Sequence, residues 1–398
     1  MKIAIVSPML LPVPDIKGGA VEMLITYLIE ENEKNKYYDI DLYTVYDDKL
    51  KEYKYENTKI MMKKIPYIKK ILQKVMNKFF NILKINKVVN FSWIKMDNEI
   101  KKHNYDKIII ENNMFLYRKI YEKKLYNNAK LIYHMHNDIN NIDKTEENYK
   151  LIEKTAEKII VISNFIKNRL NSIQRTDKIE VLYNCIDKDL YNNDNINECT
   201  ESKKIKEYKI KDDVSIGYIG RISKEKGLLE LVKAFRNIEL PNVSLYVIGS
   251  QWYDKIKKDK YYNKILEEIK NIKNNIYFIG NVSKKNMPQI YKVLDIIVIP
   301  TICEEAFGMV ALEASLMGKA IIATNSGGMV EIINNNTTGI IVEKDKDIVD
   351  NLSNAIKFMT LNKDIRKDFG INAKKEVEKK EEFDKEKYLT NFAKIVGG

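Results

Sequence analysis

A chain of 398 residues is too long for one ordinary core and suggests two domains of roughly 150 to 200 residues each. Its hydrophobic content of 44% excludes a disordered polymer. The formal charge of +12 would suit nucleic acid or an anionic membrane surface, yet Lys, Asn, Ile and Tyr are all abundant together, which a compositionally biased genome gives without selection for charge.

The chain opens on Lys2 to Val6, apolar from Ile3 onward. Pro8, Pro12 and Pro14 interrupt its continuation, so it reads as a first buried strand and not as a signal peptide. The Gly18-Gly19 loop follows, then a helix from Ala20 to Glu31. Strands are expected at Asp39 to Val45, Ile60 to Ile65, Lys107 to Ile110, Lys130 to His136, Lys158 to Ile162 and Ile179 to Tyr183, with helical patterns between most of them. That alternation predicts a parallel sheet covered on both faces. Between Lys59 and Lys95 there is no acidic residue. Within that stretch Ile68, Ile71, Leu72, Val75, Phe79, Ile82 and Leu83 recur at helical spacing, while Lys69, Lys70, Lys74 and Lys78 lie largely off the stripe. Such a helix is either an ordinary surface helix with a basic outer face or a peripheral contact to an anionic membrane. No stretch approaches the roughly 20 apolar residues of a spanning helix.

From Asn192 to Asp213 the pattern dissolves into polar residues, which predicts an interdomain linker with some helix from Glu201. The alternation then restarts. Strands are expected at Val214 to Ile219, Val243 to Ile248, Ile276 to Ile279, Asp295 to Ile299, Ala320 to Ala323 and Gly339 to Val342. The expected organisation is a first domain over 1–195, a linker over 196–213 and a second domain over 214–375. Residues 376–398 would form a C-terminal helix able to cross back onto the first domain.

Several of the loops carry chemistry. Gly220 to Gly227 follows the first strand of the second domain, and there Arg221 offers a planar fork of donors and Lys226 a point charge, a combination suited to a diphosphate. After the Asp295 to Ile299 strand, Glu305 and Glu313 stand eight positions apart around Phe307-Gly308, at a strand end and in the first turns of a helix. Open α/β sheets bind ligands in that position, although acidic residues also collect at helix starts for their own reasons. Ser326-Gly327-Gly328, with Glu331 after it, is a second glycine turn able to aim backbone N–H groups at an anion, or a simple capped turn. Gly18-Gly19 would let backbone approach a ligand, and no G-x-G-x-x-G is present, which disfavours a nicotinamide dehydrogenase. His134 and His136 share a strand face, and with Asp138 they echo the start of a dinuclear zinc site. Too few further histidines exist to complete one. Cys185, Cys199 and Cys303 have no metal or disulfide spacing, and a reducing cytoplasm is the simplest compartment.

Taken in order, the Gly-Gly loop, the strand-end histidine, Gly-Arg followed by Lys-Gly, the Glu-x7-Glu segment, and Thr-Asn-Ser-Gly-Gly with Glu331 resemble glycosyltransferase family 4, retaining enzymes of the GT-B fold. The resemblance implies an α/β chain of two doubly wound Rossmann-like domains facing across a deep cleft. It implies a hexosyltransferase that uses a nucleotide-sugar donor, a UDP-sugar by family frequency, and a glycan or glycolipid acceptor of the cell envelope, with neither metal nor cofactor. By that resemblance Arg221 and Lys226 would bind the diphosphate, assisted by the N–H groups of Gly18 and Gly19. Glu313 would hold the ribose, and Glu305 with the backbone around Phe307 and Gly308 would position the sugar. His136, followed by Asn137, fits the family's histidine register and takes the sugar contact, with His134 as second choice. Cys185 replaces a glycine in the family's Asn-Gly-Val-Asp turn, and Ala306 a frequent proline. The expected setting is cytoplasmic, either free or peripheral on the inner face of the cell membrane where the basic helix makes that contact. The rival readings are a nucleic-acid-binding protein, for which no motif exists, and a catalytically silent sugar-nucleotide-binding or surface-assembly protein of the same fold.

Overall fold

A computed structural model describes the chain except residues 63, 65–67, 69, 70, 73, 74, 77–95, 98, 140–144, 193–197, 209–212, 252–258 and 398. It resolves into two compact units. The first comprises residues 1–162, 166–183 and 386–398, and the second residues 163–165 and 184–385.

The first unit is built on a parallel sheet in the order β3-β2-β1-β4-β5-β6-β7. Its strands are β1 (Lys2–Val6), β2 (Asp39–Tyr43), β3 (Thr58–Met61), β4 (Lys107–Glu111), β5 (Lys130–Met135), β6 (Lys158–Val161) and β7 (Ile179–Val181). Ile3, Ala4, Ile5 and Val6 are all buried, as are Ile108, Ile109 and Ile110. Burial on both faces is what a parallel sheet covered by crossover helices demands, and it explains why these strands read as continuous apolar runs. The helix Ala20–Asn35 runs four residues beyond the expected Glu31 and stops at Lys36, whose left-handed backbone returns its N–H to Asn32.

The second unit repeats the plan in the order β10-β9-β8-β11-β12-β13. These are β8 (Val214–Ile219), β9 (Val243–Ile248), β10 (Asn275–Gly280), β11 (Ile296–Ile299), β12 (Ala320–Thr324) and β13 (Gly339–Val342). The order reverses between β8 and β11, the switch point beside which ligands bind in open sheets. Leu231, Val232 and Phe235 of the helix Leu228–Arg236, with Leu352, Ile356 and Met359 of the helix Ile348–Leu361, close the core over Ile216, Leu245, Val298 and Ile322.

The division between units falls at Tyr183 and Asn184, ahead of the 196–213 linker expected from composition. Within that stretch, residues Thr200–Tyr208 form a helix of the second unit. The helix expected from Glu201 thus starts at Thr200; it buries Ser202 and Ile205 and leaves its lysines outside. The C-terminal charged segment forms two helices, Lys363–Lys379 and Lys385–Val396, and Glu386–Gly398 belongs to the first unit. There Lys107 Nζ donates to the Val396 carbonyl at 2.5 Å, and Phe392 meets Tyr38 edge-on with ring centroids 6.0 Å apart.

Of the basic stripe, Ile68, Ile71, Leu72 and Val75 are helical and exposed. Phe79, Ile82, Leu83 and Lys69, Lys70, Lys74 and Lys78 lie outside the described residues. Among the described residues no helix is long and apolar enough to cross a membrane.

Candidate functional site

In the second unit the loops after β8 and β11 are drawn together by backbone that admits no side chain. Gly227, at φ +68°, closes the short turn Lys224–Lys226, and a β-carbon there would lie 1.8 Å from the Pro300 carbonyl oxygen. The Ile302 N–H donates to the Glu225 carbonyl at 2.8 Å. This approach places the Lys226 ammonium in an ion pair with the Glu305 carboxylate, each side chain about a quarter exposed (25% and 23%). Two residues 79 positions apart in sequence thereby form one charged unit beside the switch point. Arg221 stands exposed on the same β8 loop, its carbonyl held at 2.6 Å by the Tyr218 hydroxyl.

The main chain of Glu305 is fixed on both sides of the residue. Its N–H donates to Ser326 Oγ at 3.0 Å, and Ser326 Oγ in turn donates to the Cys303 carbonyl at 2.6 Å. Its carbonyl accepts from the Gly328 N–H at 2.7 Å. The Ser326-Gly327-Gly328 turn, read from sequence as a donor of N–H groups to an anion, therefore spends the Gly328 N–H on the neighbouring loop. Gly327 sits at φ +50°, and a β-carbon on it would lie 2.0 Å from the Glu305 carbonyl oxygen. Glu331 accepts the N–H groups of Asn164 and Phe165 at 3.1 and 2.7 Å, the role of a carboxylate at a helix start.

Gly308, at φ +108°, starts the helix Met309–Leu316, while the Phe307 ring is buried against Phe383 with centroids 5.8 Å apart. Glu313 lies in that helix, buried, and accepts from the Tyr291 hydroxyl at 2.9 Å. Burial raises its carboxyl above the ordinary range, opposed by the charge of Lys284 and by the hydroxyls of Tyr291 and Tyr191. The two glutamates of the spaced pair thus have different partners, an ammonium for Glu305 and a phenol for Glu313. Cys185 is buried, is not among the residues at positive φ, and is flanked by an Ile186 N–H to Phe383 carbonyl bond of 2.9 Å. The turn therefore keeps a regular backbone without its glycine.

Sequence reasoning passed over Gln251, in the loop after β9. It is buried, and among the described residues neither atom of its amide has a hydrogen-bond partner. A glutamine in a loop carries no signal in one sequence; its burial does.

In the first unit Gly18 and Gly19 both take positive φ, +77° and +128°. A β-carbon on Gly19 would lie 2.2 Å from Glu22 Oε2, so the Gly-Gly turn lies against the acidic side chain of its own helix. Burial raises the Glu22 carboxyl above its usual range. His134 and His136 share one carboxylate: Glu111 Oε2 lies 3.0 Å from His134 Nδ1 and 2.8 Å from His136 Nε2. All three are buried, and His134 Nε2 and His136 Nδ1 are buried without partners among the described residues. Asp138, the third member of the zinc-like echo, pairs instead with Arg169 at 2.8 Å. Among the described residues the metal-ligand group ends at Glu111, His134 and His136.

Comparison with known proteins bears on the fold that carries these residues. Residues 200–376 match the family model described as "Glycosyl transferases group 1". The lipopolysaccharide 1,2-N-acetylglucosaminetransferase of Salmonella typhimurium is 33% identical over 235 residues, 58% of each chain. The capsular polysaccharide biosynthesis glycosyltransferase CapM of Staphylococcus aureus is 32% identical over 236 residues, 56% of this chain and 58% of that one. The chain thus matches little more than half the length of these two relatives. Anabaena HepE, solved in complex with UDP-glucose, superposes with a TM-score of 0.74 at 18% identity, covering 100% of this chain and 99% of that one. The fold is GT-B, with two Rossmann-like domains.

Proposed function

We propose that this chain, a glycosyltransferase by its group 1 domain and GT-B fold, moves a hexose-type sugar from a nucleotide-diphosphate donor to a cell-envelope or surface-glycan acceptor. The donor is a UDP-sugar, the anomeric configuration is retained, and no metal is needed. The observation that carries the reading is the Lys226 and Glu305 pair at the ends of β8 and β11. A nucleotide sugar is already activated, and its barrier lies in separating an anionic diphosphate from an oxocarbenium-like sugar. Fixed cations at the phosphates stabilise that charge.

Arg221 and Lys226 hold the diphosphate in this reading, and Glu305, released from Lys226 as phosphate replaces it, takes sugar hydroxyls. The backbone at Phe307 and Gly308 supports the same contact, and Glu313 binds the ribose. In the first unit Gly18 and Gly19 offer N–H groups to the donor, and His136 touches the sugar, with His134 as second choice. Acceptor attack on the face that the diphosphate leaves would retain configuration with no protein nucleophile. That separates the reaction from retaining glycosidases, which use a carboxylate nucleophile.

A thermal-shift screen across nucleotide sugars, followed by turnover of the stabilising donor in EDTA, tests the reading. One donor is expected to raise the melting temperature, its turnover to survive EDTA, and Lys226→Ala and Glu305→Ala to abolish turnover while leaving the unliganded melting temperature near wild type. Binding without hydrolysis or transfer would instead identify a silent sugar-nucleotide-binding protein.

A further inference from the structure

The loop after β9 holds a side chain for which the proposed reaction has no use. Gln251 is 6% exposed, and both Oε1 and Nε2 are buried without a partner among the described residues. Native proteins pair the great majority of buried polar atoms, so an amide unsatisfied at both ends calls for an explanation. The loop is anchored to its neighbours by backbone bonds. Gly249 donates its N–H to the Gly280 carbonyl at 2.8 Å, and the Ser250 carbonyl accepts from the Ile222 N–H at 3.0 Å. A β-carbon on Gly249 would lie 2.0 Å from the Gly220 carbonyl oxygen, so the β9 loop is pressed against the loop that carries Arg221.

Sheet order gives the direction. Lys226 and Glu305 mark the switch point between β8 and β11, and β9 and β10 lie to the other side of β8. A donor with its diphosphate at Arg221 and Lys226, its sugar at Glu305 and its ribose at Glu313 has its nucleobase left to place, and the β9 loop borders the loop that carries Arg221. A carboxamide offers one donor and one acceptor side by side. The imide edge of uracil offers the complement, an N3–H beside a carbonyl oxygen.

We propose that Gln251 reads the nucleobase of the donor, its Nε2 donating to a uracil carbonyl and its Oε1 accepting from N3–H. The inference rests on the donor site proposed above. It is tested by calorimetric titration of wild type and Gln251→Leu with UDP and with UDP methylated at N3, which lacks the imide proton. Wild type is expected to bind UDP roughly tenfold more tightly than the methylated analogue, for the hydrogen bonds at stake. Gln251→Leu is expected to bind the two alike and weakly. Its unliganded melting temperature should hold or rise, because a buried unpaired amide has been exchanged for an apolar side chain of similar size. A variant that keeps the preference for UDP overturns the inference. So does one whose unliganded melting temperature falls while both ligands weaken equally. Failure of wild type to bind UDP or any UDP-sugar would instead bring down the donor site itself, and the inference with it.

Discussion

Glu111 meets both His134 and His136 through a single oxygen atom. Burial alone would raise its carboxyl, but His134 and His136 outweigh it and hold the group down at about 2. His136 is pushed down to about 4, first by burial and then by His134, against the pull of Glu111. A histidine with a depressed folded value contributes stability that is present above its unfolded value of 6.5 and is lost as pH falls towards 4. The carboxylate adds a second loss between 4.5 and 2. Urea unfolding of wild type is therefore expected to weaken from pH 6.5 to pH 4.5 by an amount approaching about 1.4 kcal/mol per unit, and His136→Gln to flatten that slope. Equal slopes in the two proteins would rule the account out. The histidines were conspicuous in the sequence because only three exist. Glu111 was not, since it meets His134 through the register of two neighbouring strands, a relation that spacing along one chain does not express.

At the scale of elements, the strands were legible because parallel strands buried on both faces leave an unbroken apolar signature, and β8, β9 and β13 have the expected bounds. The loops were legible only in part. Gly-Arg and Lys-Gly marked the β8 loop and Glu-x7-Glu the β11 loop, but the work of Ser326-Gly327-Gly328 depends on a partner 21 to 23 residues upstream. That turn is a clamp on the Glu305 backbone, and its glycines are required by contact as much as by conformation. Gly327→Ala adds a β-carbon where the Glu305 carbonyl already stands and also strains φ, so it is expected to cost about 2 kcal/mol or more. Gly18→Ala meets nothing within 4 Å and should cost about 1 kcal/mol, from the positive φ alone. Equal losses in urea titrations of the two variants would show that the clamp bears no steric constraint.

The whole molecule joins a formal charge of +12 to a stretch without acidic residues, and among the described residues of that stretch four apolar side chains stand in water. Ile68 is 78% exposed, and Ile71, Leu72 and Val75 continue from it at helical spacing. We propose that this stripe rests on an anionic bilayer, where apolar insertion and Lys attraction add. Co-sedimentation is expected with vesicles containing phosphatidylglycerol, to fall in high salt, and to be weakened by Ile68→Asp with Leu72→Asp. Equal sedimentation with neutral phosphatidylcholine vesicles, or none with either, would defeat the proposal. Two domains were legible in the length, and a helix from Glu201 in the polar stretch, whereas the division at Tyr183 and Asn184 leaves no mark in composition.

Residues 386–398 lie beyond the whole second unit in the chain, yet they are part of the first. Synthesis runs from one end only. On the ribosome, the first unit must wait for about 200 further residues, roughly 10 to 40 s of elongation, before the helix carrying Tyr388, Leu389 and Phe392 exists. Through that interval Leu24, Ile25 and Leu28, which lie beside Tyr388 and Phe392, lack their cover. The unit that begins first is finished last, and its apolar flank is unprotected for as long as translation of the second unit takes.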